Sequence, residues 1–300
     1  MLFFLLSTTL QAATYTKQNN TIYFQAQHEK FAYLILDNLE KDIDKFQRKI
    51  GQYPDLPLTI YLTENEAEYK QRCGNSQAIL EFSQACYSPR QKAIILRSVD
   101  DLRDYSQLRQ IILHEYIHHF VHAKIANPPL WFNEGMAVYF SGGLTYKREL
   151  NFAKNYILGN SSSLNQMRKG YPENRIEWES YYAKSALAVK YLSGKEGKKF
   201  FRFWENISKT GEFDSTFLQS FYFTSREFST FFEQYAKQHF RLELFLASSG
   251  IIWAFLPLVF LLGVLRRKIR DRGVMKNWQF SEQENLLINA EKIEKEKNNI

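Results

Sequence analysis

A chain of 300 residues, 45% hydrophobic and 16% aromatic, can bury a full core and is excluded from the disordered class. Its net charge of +7 does not describe a nucleic-acid surface. Five of the seven residues in 266–272 are basic and directly follow an apolar run, whereas elsewhere acidic and basic residues interleave, so no nucleic-acid partner is expected.

The first residues, MLFFLLSTTLQAA (1–13), have a short apolar core at 2–6 and small residues at Ala12 and Ala13. This is the outline of an export signal without the usual basic start; a buried first strand is the alternative. TIYFQAQH then reads as a strand. Residues 28–50 place Phe31, Leu34, Ile35, Leu39, Ile43 and Phe46 at three- and four-residue steps, the period of a helix. GQYPDLP ends that helix, LTIYLT (58–63) reads as a strand and ENEAEYKQRC as a second helix. A polar, irregular connection is expected over 74–92, followed by the strand AIILRS (93–98). Helices are expected near 104–123, 130–141, 145–158, 178–193, 196–208 and 225–240. The fold class is therefore α+β: a small mixed sheet in the N-terminal half packed on a central helix, then an all-helical C-terminal half.

Residues 244–265 are 22 in number and uncharged, between Glu243 and Arg266. A helix of that length rises about 33 Å, enough for the hydrocarbon core of a bilayer. Pro257 suits a membrane helix better than a soluble one, with a buried core helix as the alternative. Together with the basic cluster behind it, this run predicts a single-pass membrane protein in contact with the lipid bilayer. The organisation expected is a signal peptide (1–13), an extracytoplasmic domain (14–240), a transmembrane helix (244–265) and a cytoplasmic tail (266–300). Cys73 and Cys86, the only cysteines, fit an exported domain closed by a disulfide worth about 3 kcal/mol; two free buried thiols are the alternative.

The stretch ILHEYIHHFVHAKIANPPLWFNEGMAVYF (112–140) carries the chemistry. On a helix His114 and His118 lie one turn apart and can hold one metal ion. Glu115 is rotated by about 100° and can reach a metal-bound water without binding the metal. A zinc site for hydrolysis needs a third protein ligand and an open position. Glu134, sixteen residues after His118 on a second helix, is the candidate, and Gly135 beside it would let the two helices approach closely. Satisfied core histidines and an ordinary helix carboxylate are the bland alternatives. His119 points away from His118 and reads as a neighbour or surface group. His122 could pair with His118 but would lack the glutamate.

With its HExxH followed by W-x-x-E-G-x-A (Trp131, Glu134, Gly135, Ala137), the chain resembles the glutamate-zincins, within them the peptidase MA-like group. The likeness extends over roughly residues 22–240, including the element order of 28–98 and YAKSALAVKYL (182–192). It implies a thermolysin-like core, one zinc ion held by His114, His118 and Glu134, Glu115 as general base, and Tyr182 as donor to the developing oxyanion, with a plain packing tyrosine as the alternative for Tyr182. It also implies peptide-bond hydrolysis in a peptide or protein substrate that adds as a strand along the sheet edge formed by ACYSPRQKAIIL (85–96). The chain departs from that pattern in the shorter spacing to Glu134 and in Val138, which stands where an aspartate orients a ligand. Asn133 or a tyrosine is left to take that part. The rival function is a peptidase-like binding module or membrane-complex subunit that does no hydrolysis. An intramembrane protease is excluded, because HEYIH lies far upstream of the apolar run.

Overall fold

Threonine, tyrosine and isoleucine alternate at the start of the chain and draw it into a hairpin. β1 (Ala12–Lys17) pairs antiparallel with β2 (Asn20–Gln25), from Ala12 opposite Gln25 to Lys17 opposite Asn20. The computed structural model describes residues 12–74, 83–99, 105–157, 162–172, 175–240 and 255–270. β2 runs parallel to β3 (Leu58–Leu62), and β3 parallel to β5 (Ala93–Leu96). β4 (Ala85–Ser88) lies antiparallel to β5 at the sheet edge, for an order β1-β2-β3-β5-β4. Every residue of β5 is buried, which is why it reads as an unbroken apolar run.

Between β2 and β3 runs α1 (Glu29–Ile50), whose buried stripe comprises Ala32, Ile35, Leu36, Leu39, Ile43, Phe46 and Ile50. Gly51 ends the helix at φ 70°, a left-handed cap that favours glycine. Asp42 is buried within this stripe and receives both Nε and Nη2 of Arg109 at 2.6 Å. This charge-assisted pair fixes α1 to α3 (Tyr105–Lys124), the helix that carries the histidines. Phe46 completes the junction, edge-on to Tyr116 and Phe120 at centroid distances of 6.1 and 5.0 Å.

The helical half consists of α4 (Leu130–Phe140), α5 (Tyr146–Ile157), α6 (Arg175–Gly194), α7 (Gly197–Thr210), α8 (Phe213–Phe221) and α9 over residues 225–240. Its core is aromatic. Trp131 of α4 packs against Phe213 and Phe228, and Phe132 against Phe203, Trp204 and Phe213. α4 is therefore buried from Trp131 to Val138, a polar Glu134 included. The α+β expectation for the N-terminal sheet and the helical half describes these residues.

Cys73, the last residue of α2 (Glu66–Cys73), is disulfide-bonded to Cys86 of β4. The bond ties the edge strand to a helix from the other side of the 74–84 segment. Mutating Cys86→Ser is expected to cost about 3 kcal/mol of stability, read as a shift in the urea midpoint under oxidising conditions and absent under reducing ones.

The membrane anchor is corrected. Among the described residues no helix is long and apolar enough to cross a membrane. Residues 244–254 of the expected span lie outside the described residues, and what is described is α10, residues 255–270. The described helix carries Arg266, Arg267, Lys268 and Arg270 in its second half. The single-pass topology goes with the span, and so does the location outside the cytoplasm inferred from it. Contacts divide the chain into two units, Met1–Arg241 and Leu242–Ile300. The expected signal core (2–6) and residues 271–300 of the expected tail lie outside the described residues, while Ala12 and Ala13 belong to β1.

Candidate metal centre

α3 presents His114, Glu115 and His118, and α4 brings Glu134 against them. The two Nε2 atoms are 3.1 Å apart, and Glu134 Oε2 lies 3.7 Å from that of His114 and 3.6 Å from that of His118. Donors held 2.0–2.2 Å from one ion at tetrahedral angles stand about 3.3 Å apart, so the set is sized for a single ion. Among the described residues this is the one group of three or more His, Cys, Asp or Glu donors so arranged. Glu134 is only 3% exposed, and its Oε2 has no hydrogen-bond partner. A buried carboxylate oxygen without a partner costs free energy unless a cation meets it. Two imidazole nitrogens and that oxygen form a donor set that could hold a metal ion.

The candidate donors are oriented from behind. His118 Nδ1 donates to Asn133 Oδ1 at 3.0 Å, which leaves the Nε2 lone pair facing His114 and Glu134. The other oxygen of Glu134, Oε1, accepts from the Tyr171 hydroxyl, so the carboxylate has one end held and one end open. Burial holds His114 well below the usual histidine range, with His118 and Arg148 adding to the effect, so its imidazole is neutral as a ligand must be. Burial pushes Glu115 up to about 7, opposed by His118 and by the Tyr87 backbone N–H and reinforced by Glu134. Burial likewise takes His119 and His122 to about 4.

His119 is not a surface group: it is buried and pairs through Nδ1 with the Tyr87 hydroxyl at 3.1 Å. His122 faces Asn133 Nδ2 at 3.4 Å and stays outside the three-donor set. Gly135 does permit a close helix approach, but to α6 rather than to α3. A Cβ there would lie 2.3 Å from the Ser185 carbonyl oxygen.

A cleft of about 900 Å³ opens over these residues. Ala85, Cys86 and Tyr87 of the edge strand form one wall, and Tyr171, Trp178 and Tyr182 another. Burial raises the Tyr182 hydroxyl, and the Glu134 and Glu115 carboxylates raise it further, so it keeps its proton and is a donor to the cleft.

Tyr171 escapes a sequence reading because it sits outside any helix, in a polar segment with no period. The segment is nevertheless fixed. Lys184, buried on α6, donates to the Ser162 carbonyl at 2.6 Å and pairs with Glu233. Trp178 donates from Nε1 to the Pro172 carbonyl at 2.8 Å and stacks on Tyr171 with ring centroids 5.2 Å apart. If the group holds a metal ion, Tyr171→Phe is expected to weaken its binding about tenfold without unfolding the chain, measured by competition with a chromogenic chelator.

Comparison with protein-family models and with curated proteins finds no match for the chain.

Proposed function

We propose that this chain is a metal-dependent peptidase of the glutamate-zincin kind, with zinc held by His114, His118 and Glu134. The observation that carries the proposal is the unpartnered, buried Oε2 of Glu134, directed at two histidine nitrogens. A binding module with no need of an ion gains nothing from that oxygen. When bound, the ion supplies Lewis-acid polarisation of a carbonyl and acidification of water.

The chain's own residues supply the rest. Glu115 lies beside the ligands without belonging to them. It takes the proton of the attacking water at its carboxylate and returns it to the leaving amine, and a pKa near 7 suits both directions. The protonated Tyr182 hydroxyl donates to the oxyanion that develops on the scissile carbonyl, a contribution commonly about 3 kcal/mol. Asn133 and Tyr171 hold His118 and Glu134 in place. Among the described residues β4 pairs on one side only, with β5, and its residues line the cleft, so an extended substrate can add to its outer edge by backbone hydrogen bonds.

The proposal is tested by incubating the zinc-loaded full-length chain with a mixed peptide pool and reading new termini by mass spectrometry. Cleavage that a chelator abolishes and zinc restores is expected. Zinc uptake with no cleavage of any peptide would leave a metal-holding binding module instead.

A further inference from the structure

The cleft has one strongly cationic side chain among its described lining residues, Arg148 of α5. Its guanidinium is clamped. Nε and Nη2 donate to the two oxygens of Glu179 at 2.8 and 3.2 Å, and Nη1 donates to the Gly143 carbonyl at 2.8 Å. Three of the five N–H groups are thereby used, which leaves one donor on each terminal nitrogen in a fixed plane. Its side chain is 29% exposed, against 65% for Glu179, so the acid that neutralises it is the more solvated partner. Arg148 lines the same cleft as His114, His118, Glu134 and Tyr182.

A plain helix-to-helix ion pair between α5 and α6 could sit anywhere on the surface and would stabilise little. This one stands in the wall of the cleft, where the remaining carboxylates of the lining, Glu115 and Glu134, belong to the centre itself. We propose that Arg148 anchors a carboxylate of the substrate, so that the preferred substrates are peptides carrying a negative charge close to the bond that is cleaved. The proposal rests on the peptidase function above. Two sources supply such a carboxylate, a free C-terminus and an acidic side chain, and both can accept from the guanidinium N–H groups that Glu179 and Gly143 leave. Glu179 serves as the placeholder that keeps the guanidinium ordered when no substrate is present.

The test uses the zinc-loaded full-length chain and matched peptides that differ only in charge: free against amidated C-termini, and Glu against Gln at each position. The wild type is expected to prefer a charged member by about tenfold in kcat/KM, with the difference in KM. A preference that vanishes on amidation identifies the C-terminal carboxylate, and one that follows Glu against Gln identifies the side chain. Arg148→Gln should remove the preference, Arg148→Lys should keep part of it, and Glu179→Gln should enlarge it by unmasking the guanidinium. If Arg148→Gln does not fold, as thermal melting would show, the Glu179→Gln result decides. Cleavage indifferent to charge in the wild type, or a preference untouched by both Arg148→Gln and Glu179→Gln, overturns the anchor and leaves the peptidase standing. Absence of any cleavage overturns both.

Discussion

Glu115→Gln is expected to lower the rate of peptide hydrolysis about a thousandfold while the zinc content stays at the wild-type level. Glutamine fills the same volume and cannot accept the proton of water. In the proposed centre it is not a ligand, so the three proposed donors are untouched. Folding should survive as well, because the carboxylate it replaces is buried and resists ionisation, which burial shows by pushing its pKa to about 7. The comparison is made at saturating peptide with metal content measured on the same sample. A fall in rate that tracked a loss of zinc would assign Glu115 to the coordination set rather than to proton transfer.

Gly135→Ala is expected to cost about 3 kcal/mol or more, the largest effect on stability of any single methyl group near the centre. The new Cβ would lie 2.3 Å from the Ser185 carbonyl oxygen, 2.7 Å from its carbon and 2.7 Å from Val189 Cγ2. Two of the three are backbone atoms of α6 and have no rotamer with which to yield. α4 and α6 must therefore separate, and they carry Glu134 on one side and Tyr182 on the other. Urea denaturation measures the loss. Gly197→Ala is the control: nothing stands within 4 Å of its Cβ position at the start of α7, and its effect should be within about 1 kcal/mol of zero or stabilising.

What could be read from the sequence follows from how local the determinant is. α1 is legible because its apolar residues recur at helical steps, and the histidine pair of the candidate centre because HEYIH puts two histidines on one helical face. Glu134 needed a likeness to a known pattern, since nothing local distinguishes it from another helix carboxylate. β4 was lost in an expected irregular connection: ACYS is short, and its strand conformation comes from pairing with β5 and from a disulfide to α2. α8 was missed although Phe213, Phe217 and Phe221 recur at four-residue steps, a signal visible only when nine residues are treated as a complete helix. Tyr171 reaches Glu134 across 37 positions of chain, and no local pattern encodes that contact. The expected membrane span failed in the opposite way. Hydropathy was counted along residues 244–265, but among the described residues no helix is long and apolar enough to cross a membrane, and the helix over 255–270 continues into arginine and lysine.

The metal centre itself is tested most directly by counting zinc. The full-length chain is equilibrated with zinc, dialysed free of excess and analysed for metal beside Glu134→Ala and His118→Ala, with folding checked by circular dichroism. One ion per wild-type chain, lost or bound at least tenfold more weakly in both variants, is the expected result. A folded wild type that retains no zinc, or one whose zinc is indifferent to Glu134, would contradict the three-donor centre and the peptidase function built on it.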